Sequence, residues 1–132
     1  MFESMEFKTT EKNQMLEILE PVKAFVAKSG LLNGIVVVYI PHTTAGVTIN
    51  KNYDPVVPTD ILNKMSELVP KHGDYQHIEG NSDAHIKASL FGNSVTIILN
   101  NGRMELGMFQ SLFLCEFDGP RKRRVLVKII PG

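Results

Sequence analysis

Hydrophobic and polar positions change their period several times along the chain, and each change marks an element. Residues 5–9 and 15–18 are short β-prone runs separated by Glu11, Lys12 and Asn13, a pattern that predicts a hairpin. Pro21 would break a helix running through it, so the first helix is expected to begin near Pro21, where a missing N–H costs nothing. Val22, Phe25 and Val26 then form an i, i+3, i+4 stripe, and Lys28 and Gly30 suit its C-terminal end. Residues 35–40 are branched and aromatic throughout and read as a strand buried on both faces, with residues 47–50 as a further strand.

Asp54 as a cap and Pro55 at the first position predict a second helix, with Pro58 tolerated in its first turn. Its stripe is Ile61, Leu62, Met65 and Leu68, and Pro70 stops it. Asn81, Ser82 and Asp83 precede a third helix over residues 84–90, which Gly92 ends. Residues 94–99 predict a strand with a tight turn at 100–102. Residues 109–117 and 124–130 predict long strands joined by Asp118, Gly119 and Pro120. The whole is an α+β fold, one domain over residues 1–132. It is built on mainly antiparallel sheet packing, sandwich-like, with about three short helices.

Composition narrows the partners. The 132 residues are 43 % hydrophobic and 21 % charged, ordinary values for one globular domain. Fourteen Lys plus Arg balance fourteen Asp plus Glu, so no global field favours nucleic acid or an anionic membrane, and any anion site is local. No apolar run approaches the roughly 20 residues that span a bilayer. The first 15 residues carry acids and no apolar stretch of the secretory type. The lone Cys115 cannot form an intrachain disulfide and suits a reducing cytoplasm. Its apolar neighbours suggest a buried residue rather than a nucleophile.

Candidate chemistry gathers at the histidines. His42 follows the apolar strand in Pro-His-Thr-Thr, and His77 and His85 bracket the start of the third helix. Imidazole serves as a metal ligand and as an acid or base near neutral pH. His42, His77 and His85 from separated segments are therefore candidates for an open zinc site, or for hydrogen-bonding turn residues. Asn81, Ser82 and Asp83 are helix-capping types, and the same helix start offers free N–H groups to a phosphate. Asp83 there would orient a histidine or bind a metal. His85 and Ser89 share a helix face, and Lys87 adds charge or is simply solvated. Thr43 and Thr44 stand where strand-end sites are built, able to donate to phosphate or to the backbone. Arg121, Lys122, Arg123 and Arg124 form a basic run without interleaved aromatics, read as a solvated hairpin flank or a subunit contact rather than a nucleic-acid patch. Glu116 and Asp118 share a strand face and are placed to pair with those arginines.

Four blocks in order carry a family resemblance: Pro41–Ala45, Asn50–Pro55, Glu79–Leu90 and Cys115–Arg121. The central Asn-Ser-Asp-Ala-His-Ile-Lys-Ala-Ser block and the Cys-Glu-Phe-Asp-Gly-Pro block make the chain resemble the YjbQ family, uncharacterised protein family 0047, over nearly its whole length. The resemblance implies an α+β fold, a homotrimer, and a polar pocket near subunit boundaries. It also implies a weak, secondary thiamine-phosphate synthase activity, a transferase reaction that joins a pyrimidine methyl diphosphate to a thiazole phosphate and releases pyrophosphate.

Carried over by position, His42, His77 and His85 match the family's histidines and imply a divalent metal. Zn²⁺ is the natural ion for such a set. His42, His85 and Asp83 become the candidate catalytic residues, and Thr43, Thr44, Asn81, Lys87, Ser89 and Gln110 the candidate substrate contacts. Where the family usually has Gly-Thr-Trp-Gln, this chain has Gly107-Met108-Phe109-Gln110, keeping the glutamine but not the indole. Ser82 stands where Ala is usual. Two functions follow: an enzyme acting on a phosphorylated small molecule, or a non-catalytic metal- or anion-binding module.

Overall fold

A computed structural model describes residues 1–52, 54–77 and 79–132. Tyr53, inside the second family block, and Ile78, just before the third, lie outside the described residues. The element order is β1 (Phe2–Lys8), β2 (Gln14–Glu17), α1 (Leu19–Ser29), β3 (Gly34–Tyr39), β4 (Ala45–Lys51) and α2 (Val56–Leu68). There follow α3 (Ser82–Phe91), β5 (Ser94–Asn100), β6 (Arg103–Met104), β7 (Gln110–Glu116) and β8 (Lys122–Pro131). The strands form two antiparallel sheets, one of order β1-β8-β3-β5-β6 and one of order β2-β7-β4. The α+β sandwich expected from the sequence is therefore present. No helix among the described residues is long and apolar enough to cross a membrane.

The main core lies between the sheets. Val36 and Val38 of β3, Ile97 and Leu99 of β5, and Val125, Val127 and Ile129 of β8 meet Val47, Leu112 and Leu114 of the smaller sheet. α1 adds Leu19, Val22, Phe25 and Val26, the stripe that its spacing predicts. Helix α1 begins at Leu19, two residues before Pro21, so the proline occupies the first turn, where its ring meets no preceding helical carbonyl. A second, smaller cluster joins Ala84 and Ala88 of α3 to Phe113, Cys115 and Phe117 on the other side of β7. The order of layers is thus large sheet, small sheet, helix.

Three expectations are corrected. First, β1 and β2 do not form a hairpin: β1 pairs with β8 and β2 with β7, so the turn at residues 11–13 carries the chain from one sheet to the other. Alternation along a strand says which side chains share a face and nothing about which strand lies beside it. The link at 118–120 crosses between layers in the same way, because β7 and β8 belong to different sheets.

Second, β3 is not buried on both faces. Val36 and Val38 are buried, but Ile35 and Val37 are only half-buried and Tyr39 is exposed. Register sets Ile35 between Ile98 of β5 and Ile130 of β8, and Tyr39 beside Leu126. The result is a partly apolar outer face on which Ile98 is 62 % exposed and Ile130 44 % exposed. The strand covered on both sides is β7, central in its sheet, with the large sheet behind it and α3 in front.

Third, the basic run is not simply a solvated flank. Arg123 is buried and bound to the equally buried Glu116, while Arg121 pairs with Asp118 at 3.1 Å. The pairing of both acids with the arginines, expected from their shared strand face, is present.

Candidate functional site

Backbone bonds place α3 against the edge of the sandwich. The amide of Val47 on β4 donates to Gly92 O at 3.1 Å, and the amide of Ile40, just after β3, donates to Asn93 O at 2.7 Å. Gly46 permits this closeness: a Cβ there would stand 2.6 Å from Gly92 O and 3.3 Å from the Phe91 Cβ. The loop between β3 and β4, which carries His42, Thr43 and Thr44, is thereby brought beside the exposed stripe of α3.

The two segments enclose a depression of about 540 Å³ lined by His42, Thr43, His85, Ser89 and Asn93, with Ala45 and Ala88 at its base. His42 is fixed by Arg124, whose backbone N–H donates to His42 Nε2 at 2.9 Å. An imidazole that accepts at Nε2 carries its proton on Nδ1 when neutral. Burial holds the pKa of His42 below 6.5, and the positive charge of Arg123 pushes it further down, with smaller contributions from Arg124 and Arg121 against an opposing one from Glu116. The loop therefore sits in a locally positive field despite the neutral chain.

The remaining candidates divide into separate places. Thr44 is buried; its Oγ1 accepts from Arg123 Nη2 at 2.8 Å, so it supports the loop rather than lining the depression. Ser89 lines the depression while donating its hydroxyl to His85 O at 2.9 Å. Asp83 and Lys87 turn inward and are buried, and Lys12 from the β1–β2 link reaches Asp83 Oδ2 at 2.6 Å. Lys87 Nζ lies 3.3 Å from the same oxygen and 3.3 Å from Asn13 Oδ1. Burial works to raise the Asp83 pKa, but the hydrogen bonds and charges of the two lysines together hold it below the usual carboxylate value. Burial depresses the Lys87 pKa, helped by Lys12 and opposed by Asp83.

Asp83 is thus an anchor for α3, not a partner of a histidine. Asn81 stands at the N-cap position, yet its side chain makes no capping bond and instead donates through Nδ2 to Asp118 Oδ2 at 2.9 Å. Gln110 lies at the far end of the sheet, opposite Lys51, the last residue of β4, while the histidine loop precedes the first. Its Oε1 accepts from the Gly107 N–H at 2.7 Å, closing its own loop. The run of β4 between them spans roughly 20 Å at about 3.3 Å per residue.

The three histidines do not converge as a metal centre in one chain. His77 stands edge-on to His85 with ring centroids 5.6 Å apart, and His85 and His42 share the depression. Yet no group of three or more His, Cys, Asp or Glu among the described residues is placed to hold a metal ion. His42 already commits Nε2 to the backbone. The residues of a single chain therefore do not fit the expected three-histidine zinc site. Cys115 is buried and its thiol pKa is pushed up by that burial, which leaves it inert.

Lys12, Arg123 and Asn93 were not legible as site residues. Lys12 sits in an ordinary polar turn, and only the crossing of the chain between sheets brings it under α3.

Comparison with known proteins agrees with this architecture. The family model described as UPF0047 protein YjbQ-like matches residues 3–132. The chain belongs to the YjbQ/UPF0047 family. It is 49 % identical over 125 residues to UPF0047 protein MJ1081 of Methanocaldococcus jannaschii, covering 95 % of this chain and 91 % of that one. It is 43 % identical over 131 residues to UPF0047 protein YugU of Bacillus subtilis, covering 98 % and 99 %. The crystal structure of an uncharacterised YjbQ/UPF0047 protein from Clostridium acetobutylicum superposes with a TM-score of 0.95 at 52 % identity, covering 96 % of this chain and 98 % of that one. A YbjQ-like protein of unknown function from Sulfolobus solfataricus superposes with a TM-score of 0.96 at 29 % identity, covering 100 % and 97 %.

Proposed function

We propose that the depression between the β3–β4 loop and α3 binds the phosphate or diphosphate of a small molecule. The observation that carries this reading is the sharing of one polar hollow by His42, Thr43, His85 and Ser89 inside the field of Arg121, Arg123 and Arg124. Thr43 and the Nδ1–H of His42 supply donors, and His85 supplies a donor or an acid. In the thiamine-phosphate-synthase-like version of this reading, these groups stabilise departing pyrophosphate while a pyrimidine methyl carbon is transferred to a thiazole nitrogen. The test is turnover and binding measured in one preparation. Product from the two phosphorylated precursors, lost in His85→Ala, supports the transferase. Pyrophosphate binding without product favours the anion-binding module.

The charge of His42 makes a further prediction. In the free protein its pKa lies below 6.5. A bound anion offsets the arginine field and favours the imidazolium, whose added proton goes to Nε2 and displaces the bond from the Arg124 N–H, so the bound pKa is higher than the free one. Binding then takes up a proton, and affinity rises as pH falls. Sulfate does not titrate near neutrality and is the suitable probe. It should bind tighter at pH 5.5 than at pH 8, by at most about tenfold for a shift of one unit, and His42→Gln should flatten the profile. Equal profiles in both proteins would remove His42 from the site.

Self-association is part of the same proposal. The outer face with Ile35, Tyr39, Ile98 and Ile130 supports the homotrimer that the family resemblance suggests. Light scattering should give three times the chain mass, and Ile98→Lys should shift it toward one. A monomer at all concentrations would overturn this.

A further inference from the structure

A sheet edge presents a row of unpaired N–H and C=O groups, and folds normally shorten, cover or interrupt it. The end strands β6 and β2 are only two and four residues long. On β4 the Val47 N–H is already bonded to Gly92 O. β1 has none of these guards. It runs seven residues at the end of the large sheet and holds no proline. It pairs with β8 one to one from Phe2↔Lys128 to Lys8↔Lys122, so no bulge interrupts it.

The ladder bonds identify the free groups. Ile129 N donates to Met1 O and Thr9 N donates to Arg121 O, so the odd-numbered residues of β1 face β8. The N–H and C=O groups of Phe2, Ser4, Glu6 and Lys8 therefore point away from β8, along the open edge. The side chains select what can lie there. Glu3, Glu6 and Lys8 disfavour a featureless partner but suit a second copy of β1 running antiparallel. With Met5 on the twofold axis, Phe2 lies opposite the partner's Lys8 and Ser4 opposite the partner's Glu6. Every free backbone group then finds a mate. The Ser4 hydroxyl meets a carboxylate, and the stem of Lys8 covers Phe2, which is 60 % exposed in the single chain. Glu3 lies opposite the partner's Phe7, so no like charges face each other. Moving the axis to Glu6 would set two carboxylates face to face, and moving it to Ser4 would leave Lys8 unpaired.

We propose that β1 is a docking edge for a second copy of this chain, the two β1 strands pairing antiparallel about Met5 to make one continuous sheet. The contact is independent of the anion site and uses the edge of the large sheet rather than its outer face. It is small, so it doubles the mass only at high concentration, whatever assembly the outer face makes.

Sedimentation of the full chain from micromolar to millimolar concentration should show its mass doubling. Ser4→Pro removes a free-edge N–H from each copy while sparing the bonds to β8, and should raise the Kd for doubling about tenfold or more. In the proposed register the two Met5 side chains share a non-hydrogen-bonded site, with Cβ atoms about 4.5–5.5 Å apart. Met5→Cys with glutathione disulfide should therefore give a covalent dimer, two thiols becoming one disulfide as the glutathione is reduced. Phe7→Cys, on the same face but opposite the partner's Glu3, should give none. Met5→Cys keeps the test decisive if Ser4→Pro disturbs β1. A mass that never doubles, doubling untouched by Ser4→Pro, or a covalent dimer from Phe7→Cys rather than Met5→Cys overturns the proposal.

Discussion

Arg123→Met is expected to remove about 3–5 kcal/mol of stability, the usual cost of leaving a buried charge without its partner. Glu116 is fully buried and receives Arg123 Nε at 2.8 Å, Arg123 Nη2, Thr9 Oγ1 at 2.7 Å and the Asp118 N–H at 2.9 Å. Burial alone would raise the pKa of this carboxyl. The hydrogen bonds and the charge of Arg123 overcome that and hold it below the usual value of 4.5. A carboxyl with a lowered folded pKa contributes stability above its unfolded pKa and loses it as pH falls through the folded one. In Arg123→Met the sign reverses, since burial then dominates.

The gap between wild type and variant should therefore be widest at pH 7 and narrow below pH 4.5. Urea midpoints at both pH values, at one protein concentration, check this. Replacing both partners, Arg123→Met with Glu116→Leu, should recover much of the loss. A single-variant loss below about 1 kcal/mol at pH 7 would sink the argument. The pair also joins the two sheets, Glu116 ending β7 and Arg123 lying in β8, and Arg123 braces Thr44 beneath the histidine loop. Anion binding should weaken in the same variant.

The second large effect is expected at His85, which lines the depression. His85→Ala should weaken sulfate and pyrophosphate binding by about tenfold or more, the loss of one hydrogen bond to a charged group being about 1.5–3 kcal/mol. Any turnover should fall by about 10²–10⁴-fold if the imidazole moves a proton. The side chain is only half-buried on the outer stripe of α3, and alanine is the better helix former, so the thermal midpoint should change little. Binding equal to wild type would remove His85 from the site. A collapse of the midpoint would instead assign it a structural task.

Local pattern carried much of this molecule. The stripe of Val22, Phe25 and Val26, the tight turn at 100–102 and the α3 start are dictated within a few residues, because helix period, turn dihedrals and capping are short-range. The turn at 100–102 is an example: Asn101 and Gly102 both have positive φ, 53° and 79°, the conformation of a two-residue hairpin. The shared helix face of His85 and Ser89, and the strand face of Glu116 and Asp118, follow from the same periods. The family was legible too, through two blocks with ordered, unusual spacing.

Pairing between distant segments was not legible. The sequence alone determined the helices, most strand positions, the antiparallel sandwich class and the residues worth examining. Only the tertiary structure decided that β1 and β2 part to different sheets, that β7 rather than β3 is covered on both faces, and that Lys12 neutralises Asp83. It also separated His42, Thr43, His85 and Ser89, which meet, from Gln110 at the other end of β4. The physical reason is range. Backbone sterics and side-chain period act over a few residues, whereas the partner of a strand or a buried charge is chosen by which apolar faces close together, and that choice belongs to the whole chain at once.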